Sequence, residues 1–196
     1  LSTASSIVIL SMVILFVGGA KLWNFGVLVG IGIMGITFIK ERVDPDDYRI
    51  KRYLTFLDPW ADPIGDGFQV IQSLYSLGSG GLFGMGLGQG RQKYLFLPYA
   101  ETDFIFAVIG EELGFIGSSI IILLYLVLIW RGIKIALTAP DLFSCLLAAG
   151  ITAVIGVQAL INIAVVTASM PATGLPLPFI SAGGSSLAFF MTAIGI

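Results

Sequence analysis

Long apolar runs, separated by polar connections, make up most of this chain. Residues 1–20, 22–39, 113–130, 142–170 and 171–196 contain no Asp, Glu, Lys or Arg. A helix that crosses the hydrocarbon core of a bilayer needs about 20 residues, so each of the first four runs predicts a complete membrane-spanning helix. The fifth run becomes apolar only after Gly184, which predicts the start of a further span. The pattern therefore predicts an all-α, polytopic transmembrane helical bundle with four full spans and a partial fifth.

The same pattern divides the chain into segments of a single membrane domain, residues 1–196. Two transmembrane helices are expected within 1–40, and a large extracellular loop containing a short amphipathic helix at 41–102. Transmembrane helices are expected at 103–130 and 142–168, an extracellular loop at 169–183, and the start of the last transmembrane helix at 184–196. Since the chain begins at Leu1 without a Met and the last span is short, we expect it to be part of a longer protein.

Composition agrees with a lipid environment and narrows the possible chemistry. Hydrophobic residues make up 57% of the chain and charged residues 11%, far from the balance of a soluble domain. The chain has no histidine and one cysteine, Cys145. This excludes His-based catalytic triads, the usual zinc sites and a disulfide framework. Catalysis would have to use carboxylates, amides, hydroxyls and basic side chains, and no nucleic-acid partner is expected.

Charged residues cluster in the loop between the second and third predicted spans. Nine of the twelve acidic residues lie between Glu41 and Asp103, so function is expected there. The short connections on the opposite side carry Lys21, Arg131 and Lys134. Cytoplasmic loops carry an excess of Lys and Arg, which predicts that these connections are cytoplasmic and that the long loop faces outward. In a bacterium the protein would lie in the cytoplasmic membrane with this loop outside the cell or in the periplasm.

The long loop contains an amphipathic segment followed by a glycine-rich one. Phe68, Ile71, Leu74 and Tyr75 recur at helical spacing across residues 67–77, and the Gln and Ser residues between them are expected to face away. This helix either lies on the membrane or packs on the top of the bundle. Seven of the residues 78–90 are glycine, which excludes a regular helix there.

The glycine-rich segment invites comparison with a phosphate-binding loop. No strand pattern precedes it and no Gly-Lys-Ser/Thr follows it, so a nucleotide site is not expected. The glycines more simply allow close packing of the backbone. Arg91 and Lys93, just after them, are expected to hold an anionic group.

Asp103 stands where the outer chain is expected to turn into the third span. Thr102 is a good N-cap, which places Asp103 in the first helical turn, where the positive helix end favours the ionised carboxylate. At 100° per residue, Ala107, Gly110 and Gly114 fall on the same face, so the side chains below the carboxylate are small. Asp103 either takes part in the chemistry or only complements the helix end, with the small residues serving ordinary membrane packing.

Polar residues also occur inside the predicted spans. Glu111 and Glu112 lie about two turns deeper than Asp103, where an ionised group needs a polar cavity or a partner. Gln158 and Asn162 stand four residues apart on one face of the next span. Hydrogen bonding between helices is the favoured role for this pair, with substrate contact as the alternative. Glu111, Glu112 and Gln158 are the candidates for lining a polar cavity.

The last connection has an irregular backbone that leads into a helix start. It contains three prolines and ends in a Ser- and Gly-rich run. Exposed amide hydrogens at such a helix start suit an anion, and simple capping is the alternative. The candidate anion-binding residues are Ser181, Gly183, Gly184 and Ser185.

Seven motifs occur in order along the chain. They are Tyr48-Arg-Ile-Lys-Arg, Phe56-Leu-Asp-Pro-Trp-Ala-Asp-Pro, Gly67-Phe-Gln-Val-Ile-Gln-Ser-Leu, Gly86-Leu-Gly-Gln-Gly-Arg-Gln-Lys, Thr102-Asp-Phe-Ile-Phe-Ala, Gly110-Glu-Glu-Leu-Gly and Pro176-Leu-Pro-Phe-Ile-Ser-Ala-Gly-Gly-Ser-Ser. Together they resemble the SEDS family (shape, elongation, division and sporulation), and the FtsW and SpoVE branch is nearer than RodA. The resemblance extends over essentially the whole chain.

The resemblance implies a ten-helix membrane enzyme of which this chain is the carboxyl-terminal half. Such proteins polymerise lipid II into peptidoglycan glycan strands at the outer membrane face, in division, sporulation or cell-shape control, with a class B penicillin-binding protein as partner. The Asp of the family's Thr-Asp-Phe motif is catalytic and corresponds to Asp103, as the base of an inverting glycosyltransferase. Arg49, Arg52, Arg91 and Lys93 are the candidates for binding the departing pyrophosphate. No metal-ligand cluster is evident, so no cofactor is certain, and a divalent cation is left open. The half-chain alone is expected to be inactive.

Two other functions fit parts of the same pattern. A transporter that flips lipid-linked precursors would use the deep polar residues as a translocation path. A non-catalytic scaffold would recruit a penicillin-binding protein through its spans and long loop. Polymerisation of purified lipid II by the intact protein separates both from the enzyme.

Overall fold

The computed structural model describes residues 2–21, 23, 26, 30, 55–65, 67–91 and 100–195. These residues form helices and connections, with no strand among them. The helices are α1 (Ser2–Val17), α2 (Phe68–Gly80), α3 (Ile105–Thr138), α4 (Leu142–Val166) and α5 (Gly184–Gly195), and a short 3-10 turn covers Pro59–Ala61. Most of the predicted second span, 22–39, and the loop segment 41–54 lie outside the described residues.

Helices α3 and α4 are the two described helices that are long and apolar enough to cross a membrane. They form an antiparallel pair joined by the short connection 139–141. The two helices pack closely because Gly132 and Gly156 leave room for the side chains of Thr152 and Ile129. Asp141 caps α4 by accepting hydrogen bonds from the backbone amide and the hydroxyl of Ser144, at 2.9 and 2.8 Å. Helix α1 packs against α4, and α2 packs against the first part of α3.

Helix α3 is interrupted at Gly114, whose backbone angles, φ 68° and ψ −167°, are not helical. Residues 78–80 of the predicted glycine-rich segment continue α2, so the expectation that this segment holds no helix is wrong there, and the glycine-rich loop is residues 81–91. This loop fits into the interruption. The backbone amides of Met85 and Gly86 donate to the carbonyls of Glu111 and Glu112 at 2.9 and 3.0 Å. Those carbonyls would otherwise be left without helical partners. The loop therefore caps the end of the first half of α3.

The second half of α3 is capped by the same loop from the other side of the break. The amides of Phe115 and Ile116 donate to the carbonyls of Gly81 and Leu82, at 2.9 and 3.2 Å. A side-chain carbon at Gly114 would clash with the Gly84 amide nitrogen, so only glycine fits. The interruption is thus a built feature, in which main-chain atoms of the loop replace the missing helical hydrogen bonds.

Helix α2 presents a different face to the bundle from the one its periodicity suggests. Ser73 and Ser76 are fully buried, whereas Tyr75 is half exposed, so the expectation that the serines face away is wrong. The Ser73 hydroxyl donates to the carbonyl of Val166 at 3.1 Å, and Ser76 donates to the carboxylate of Glu111 at 3.3 Å. Small hydroxyl side chains allow close approach, and their hydrogen bonds offset burial.

Candidate active site

Asp103 lies in the turn that precedes α3. The helix begins at Ile105 and its N-cap is Phe104, so the prediction that Thr102 caps the helix is wrong. The Thr102 hydroxyl instead hydrogen-bonds the carboxylate of Asp103. Asp103 is partly exposed, while Phe104 beneath it is 2% exposed. The carboxylate therefore stands at the surface, above a tightly packed core.

Asn162, on α4, holds the backbone of this turn in place. Its side-chain nitrogen donates to the carbonyl of Asp103 at 2.7 Å and to the carbonyl of Leu175 at 2.8 Å. Asn162 is 1% exposed, so both bonds are shielded from water. The sequence favours hydrogen bonding between helices for Asn162, and its observed partners lie in the turn before α3 and in the connection after α4.

The connection between α4 and α5 lines one side of Asp103. The Ser181 hydroxyl donates to the carbonyl of Thr102 at 2.5 Å and accepts from the amide of Leu177 at 2.7 Å. The Ala182 amide donates to the carbonyl of Glu101 at 2.8 Å. These bonds fasten the connection to the turn that carries the carboxylate. Ser181 is therefore engaged within the protein through its side chain.

Gly174 brings the backbone of this connection directly beside the carboxylate. Its φ of 69° is in the left-handed region, and a side-chain carbon built on it would lie 3.5 Å from Oδ2 of Asp103. Any other residue would strain the backbone, and its first side-chain carbon would fill the space in van der Waals contact with the carboxylate. Glycine thus leaves room for another group next to Oδ2.

The surroundings raise the pKa of Asp103 above that of an exposed aspartate. Desolvation by burial is the larger influence, and the hydrogen bond from Thr102 acts in the opposite direction by lowering the pKa. A carboxylate with a raised pKa binds a proton more readily than an ordinary aspartate. It is therefore a stronger base when ionised.

The small residues below Asp103 are explained by packing. Ala107 is fully buried in the core, and the backbone of Gly110 is contacted by Leu77 of α2. Gly114 forms the break that accepts the glycine-rich loop. These contacts support the alternative that the small face serves packing between helices.

Glu111 and Glu112 hold the glycine-rich loop through their side chains. Glu111 is 1% exposed, and its carboxylate accepts hydrogen bonds from the Arg91 amide at 2.9 Å and from Ser76. The Glu112 carboxylate accepts from the Gly88 amide at 3.0 Å. Both carboxylates lie close against Gly90, where a side-chain carbon would come within 3.0 Å of each of them. These contacts join the carboxylates to the loop backbone, and a role in lining a cavity stays a prediction.

The predicted basic residues are only partly described. Arg91 is exposed, and its backbone is fixed to Glu111. Arg49, Arg52 and Lys93 lie outside the described residues. Of the four basic candidates, the described residues thus include Arg91, whose backbone amide is bound to α3, the helix that follows Asp103.

The remaining candidates lie at the start of α5 and within α4. Helix α5 begins at Gly184, and Gly183, Gly184 and Ser185 are exposed. In α4, the side-chain oxygen of Gln158 is buried and has no hydrogen-bond partner in the described part of the chain. Across the described residues, no group of three or more His, Cys, Asp or Glu side chains converges as a metal site would require.

Two neighbours of Asp103 have roles that the sequence does not predict. The sequence predicts capping for Thr102, and nothing in its pattern places Gly174 near the carboxylate. A glycine between Thr173 and Leu175 is an ordinary loop signal. Gly174 lies beside Asp103 only because the α4–α5 connection folds back over the start of α3.

The whole chain matches a known protein family. The family model described as FtsW/RodA/SpoVE, cell cycle protein, matches residues 1–196. Stage V sporulation protein E of Bacillus subtilis (strain 168) is 52% identical over 196 residues, covering 100% of this chain and 53% of that protein. A protein named probable peptidoglycan glycosyltransferase FtsW, from Geobacter sp. (strain M18), is 43% identical over 196 residues, covering 100% and 53% respectively.

A solved structure has the same fold over the full length of the chain. It is described as "Structural coordination of polymerization and crosslinking by a peptidoglycan synthase complex". The TM-score is 0.79 at 34% identity, and the match covers 100% of this chain and 53% of that chain. The chain thus spans about half the length of the relatives it matches.

Proposed function

Because this chain belongs to the FtsW/RodA/SpoVE family of cell cycle proteins, we propose that its full-length form is a peptidoglycan glycosyltransferase. It polymerises lipid II into glycan strands during cell division, sporulation or cell-shape control. The observation that carries the proposal is Asp103. This partly buried carboxylate has a raised pKa and stands in a turn fastened by Asn162 and Ser181.

Asp103 acts as the general base. It takes the proton from the acceptor sugar hydroxyl as that oxygen attacks the anomeric carbon of the donor. A new carbon–oxygen bond forms at the anomeric carbon, and the bond to the undecaprenyl pyrophosphate breaks, so the configuration inverts. One carboxylate suffices, because no water has to be activated. The fixed backbone of the turn supports this role, since a base must be held at hydrogen-bonding distance from the proton that it removes.

Positive charge is needed where the pyrophosphate leaves. Arg91 supplies part of it, together with Arg49, Arg52 and Lys93 from segments outside the described residues. The exposed amides at the start of α5, around Gly183, Gly184 and Ser185, add hydrogen-bond donors for an anion. A divalent cation is left open in this proposal, and it would share the neutralisation of the pyrophosphate with these side chains.

The substrate and the partner follow from the same proposal. Lipid II has its anchor in the bilayer and its sugars in water, and Asp103 stands next to an apolar helix long enough to span the bilayer. The site faces outward from the bacterial cytoplasmic membrane in a multi-pass protein, with Lys21, Arg131 and Lys134 on the cytoplasmic side. A class B penicillin-binding protein is the partner that crosslinks the product. One matched structure is described as a peptidoglycan synthase complex, which supports this partner.

The test is polymerisation of purified lipid II by the full-length protein together with its penicillin-binding partner. We expect Asp103→Asn to abolish glycan product while the complex still assembles. Asp141→Asn is the matched control, because Asp141 caps α4 far along the chain from the site, and it should retain activity. Undiminished polymerisation by Asp103→Asn would remove the assignment. A flipping assay in vesicles and a partner-recruitment assay would then decide between the transporter and the scaffold.

A further inference from the structure

The glycine-rich loop exposes an unusual set of side chains. Leu82, Phe83, Met85 and Leu87 are 63%, 82%, 38% and 77% exposed. No Asp, Glu, Lys or Arg occurs from residue 67 to residue 90. A loop in water would normally be polar, and contiguous exposed apolar side chains mark a contact with another apolar phase. The neighbouring parts of the structure indicate which apolar phase contacts this surface.

The loop lies level with the point where α3 becomes apolar on its outside. Its carbonyls at Gly81 and Leu82 accept hydrogen bonds from the amides of Phe115 and Ile116. Phe115 is 67% exposed and Ile116 45%, and the exposed apolar surface of α3 continues from there. By contrast, the first half of α3 is largely buried, with Phe106, Ala107 and Val108 in the core. The apolar surface of the loop is therefore continuous with the surface that α3 offers to lipid.

Five backbone amides of the loop are already hydrogen-bonded within the protein. The amides of Gly84, Met85, Gly86, Gly88 and Gln89 all donate to protein oxygens, at 2.8 to 3.1 Å. An irregular segment can enter a bilayer only when its polar backbone groups have partners inside the protein. These bonds meet this condition for the five amides, and the capping bonds from Phe115 and Ile116 meet it for the carbonyls of Gly81 and Leu82.

An exposed aromatic pair joins the turn before α2 to the middle of α2, the helix that leads into the loop. The rings of Trp60 and Tyr75 pack edge to face with their centroids 6.0 Å apart, and both side chains are at least half exposed. Trp and Tyr are enriched at the boundary between headgroups and acyl chains. Their presence on the helix that leads into the apolar loop fits a surface that enters the bilayer from the headgroup side.

We propose that Leu82, Phe83, Met85 and Leu87 insert into the acyl-chain region of the adjacent lipid leaflet. This anchor places the bilayer boundary at the break in α3. Asp103, eleven residues before Gly114, then stands about 16 Å above that boundary at 1.5 Å per residue. The half of α3 that carries Asp103 thus rises from the acyl-chain boundary through the headgroup layer toward the water, held there by the loop.

The test measures how deeply the loop lies in the bilayer, and it does not depend on enzyme activity. The full-length protein, with its native cysteines including Cys145 replaced by alanine, is labelled with an environment-sensitive fluorophore at Phe83→Cys. Leu87→Cys is the second site, Gln89→Cys is the polar control on the same loop, and Phe115→Cys is the lipid-facing reference. In liposomes, a phospholipid spin-labelled high on its acyl chain should quench positions 83 and 87 at least about twofold more than position 89. Aqueous iodide should show the reverse order.

Two outcomes would overturn the proposal. If iodide reached position 83 as readily as position 89, the loop would lie in water. If neither quencher reached position 83, the rest of the protein or a partner would cover the surface. Wild-type protein in bilayers containing a phospholipid with a mid-chain diazirine gives a check without substitutions. Photolysis should then leave lipid adducts on the peptide that contains residues 82–87, and their absence would contradict insertion.

Discussion

The side chain of Asn162 supports the backbone of Asp103 from below, with its amide nitrogen 2.7 Å from the Asp103 carbonyl oxygen. The same nitrogen donates to the carbonyl of Leu175, so one buried residue fixes the turn that carries Asp103 and the connection beside it. A carboxylate at the end of a helix would otherwise move with a fraying turn. Asn162, a residue of another helix, therefore holds Asp103 in position.

Asn162→Leu should destabilise the protein and reduce polymerisation more than it weakens substrate binding. The substitution leaves two buried carbonyls without donors, at a cost of roughly 1–3 kcal/mol for each. Gln158→Leu, one turn earlier on α4, is the matched control for stability, because the Gln158 side-chain oxygen lacks a partner among the described residues. Thermal unfolding of the two purified variants should separate them. Equal unfolding temperatures would contradict the role given to Asn162.

Thr102→Val should move the acidic limb of the pH–rate profile to higher pH. The base works only when it is deprotonated, so activity falls as pH decreases through the pKa of Asp103, which burial raises. The Thr102 hydroxyl lowers that pKa, and its removal should raise the pKa further. Thr167→Val is the control, since its hydroxyl bonds only to groups at the end of α4 and to Ser169. A limb that stayed in place or moved to lower pH would speak against Asp103 as the titrating base.

Gly114→Ala should prevent correct folding or strongly lower thermal stability. The new side chain would meet the Gly84 amide, and the backbone angle at residue 114 disfavours any residue other than glycine. We expect a loss of more than about 3 kcal/mol, the range typical of backbone strain combined with a steric clash. Gly78→Ala is the matched control, because it lies in α2 with open space around it and should be neutral or stabilising. A stable Gly114→Ala variant would show that the loop does not occupy the break.

Glu111→Ala should release the glycine-rich loop from α3. The carboxylate accepts hydrogen bonds from the Arg91 amide and from Ser76, so its removal leaves a buried donor unpaired, at roughly 1–3 kcal/mol. Hydrogen exchange followed by mass spectrometry should show faster exchange across residues 84–91. Glu101→Ala, an exposed acid in the turn before α3, should leave exchange in that segment unchanged. Unchanged protection in Glu111→Ala would mean that the backbone bonds alone hold the loop.

Much of the helical layout can be predicted because its signal is local. The apolar run 142–170 contains α4, and the polar-to-apolar change after residue 102 marks the start of α3. Asp103 stands out for the same reason, as a carboxylate next to a helix start. The resemblance adds the family, which the comparison with known proteins confirms.

The break in α3 and the packing face of α2 depend on partners that are distant in sequence. Nothing in the sequence around Gly114 distinguishes a helix break from an ordinary packing glycine, because the run from 113 to 130 is uncharged throughout. The decisive partners are the backbone groups of Gly81 and Leu82, about 30 residues away. Similarly, Ser73 is buried because it bonds the carbonyl of Val166, which no local pattern in α2 reveals.

The main-chain hydrogen bonds between the glycine-rich loop and α3 also determine how this sequence can diverge. The bonds of the loop to Phe115, Ile116 and the carbonyls of residues 111 and 112 use main-chain atoms on both sides. Main-chain bonds do not depend on side-chain identity, so Leu82, Phe83 and Leu87 are free to exchange with other apolar residues. Gly80, Gly84 and Gly114 are not, because a side chain at any of them would collide with backbone. Among distant relatives, the spacing of these glycines should therefore outlast the residues between them as a marker of the same architecture.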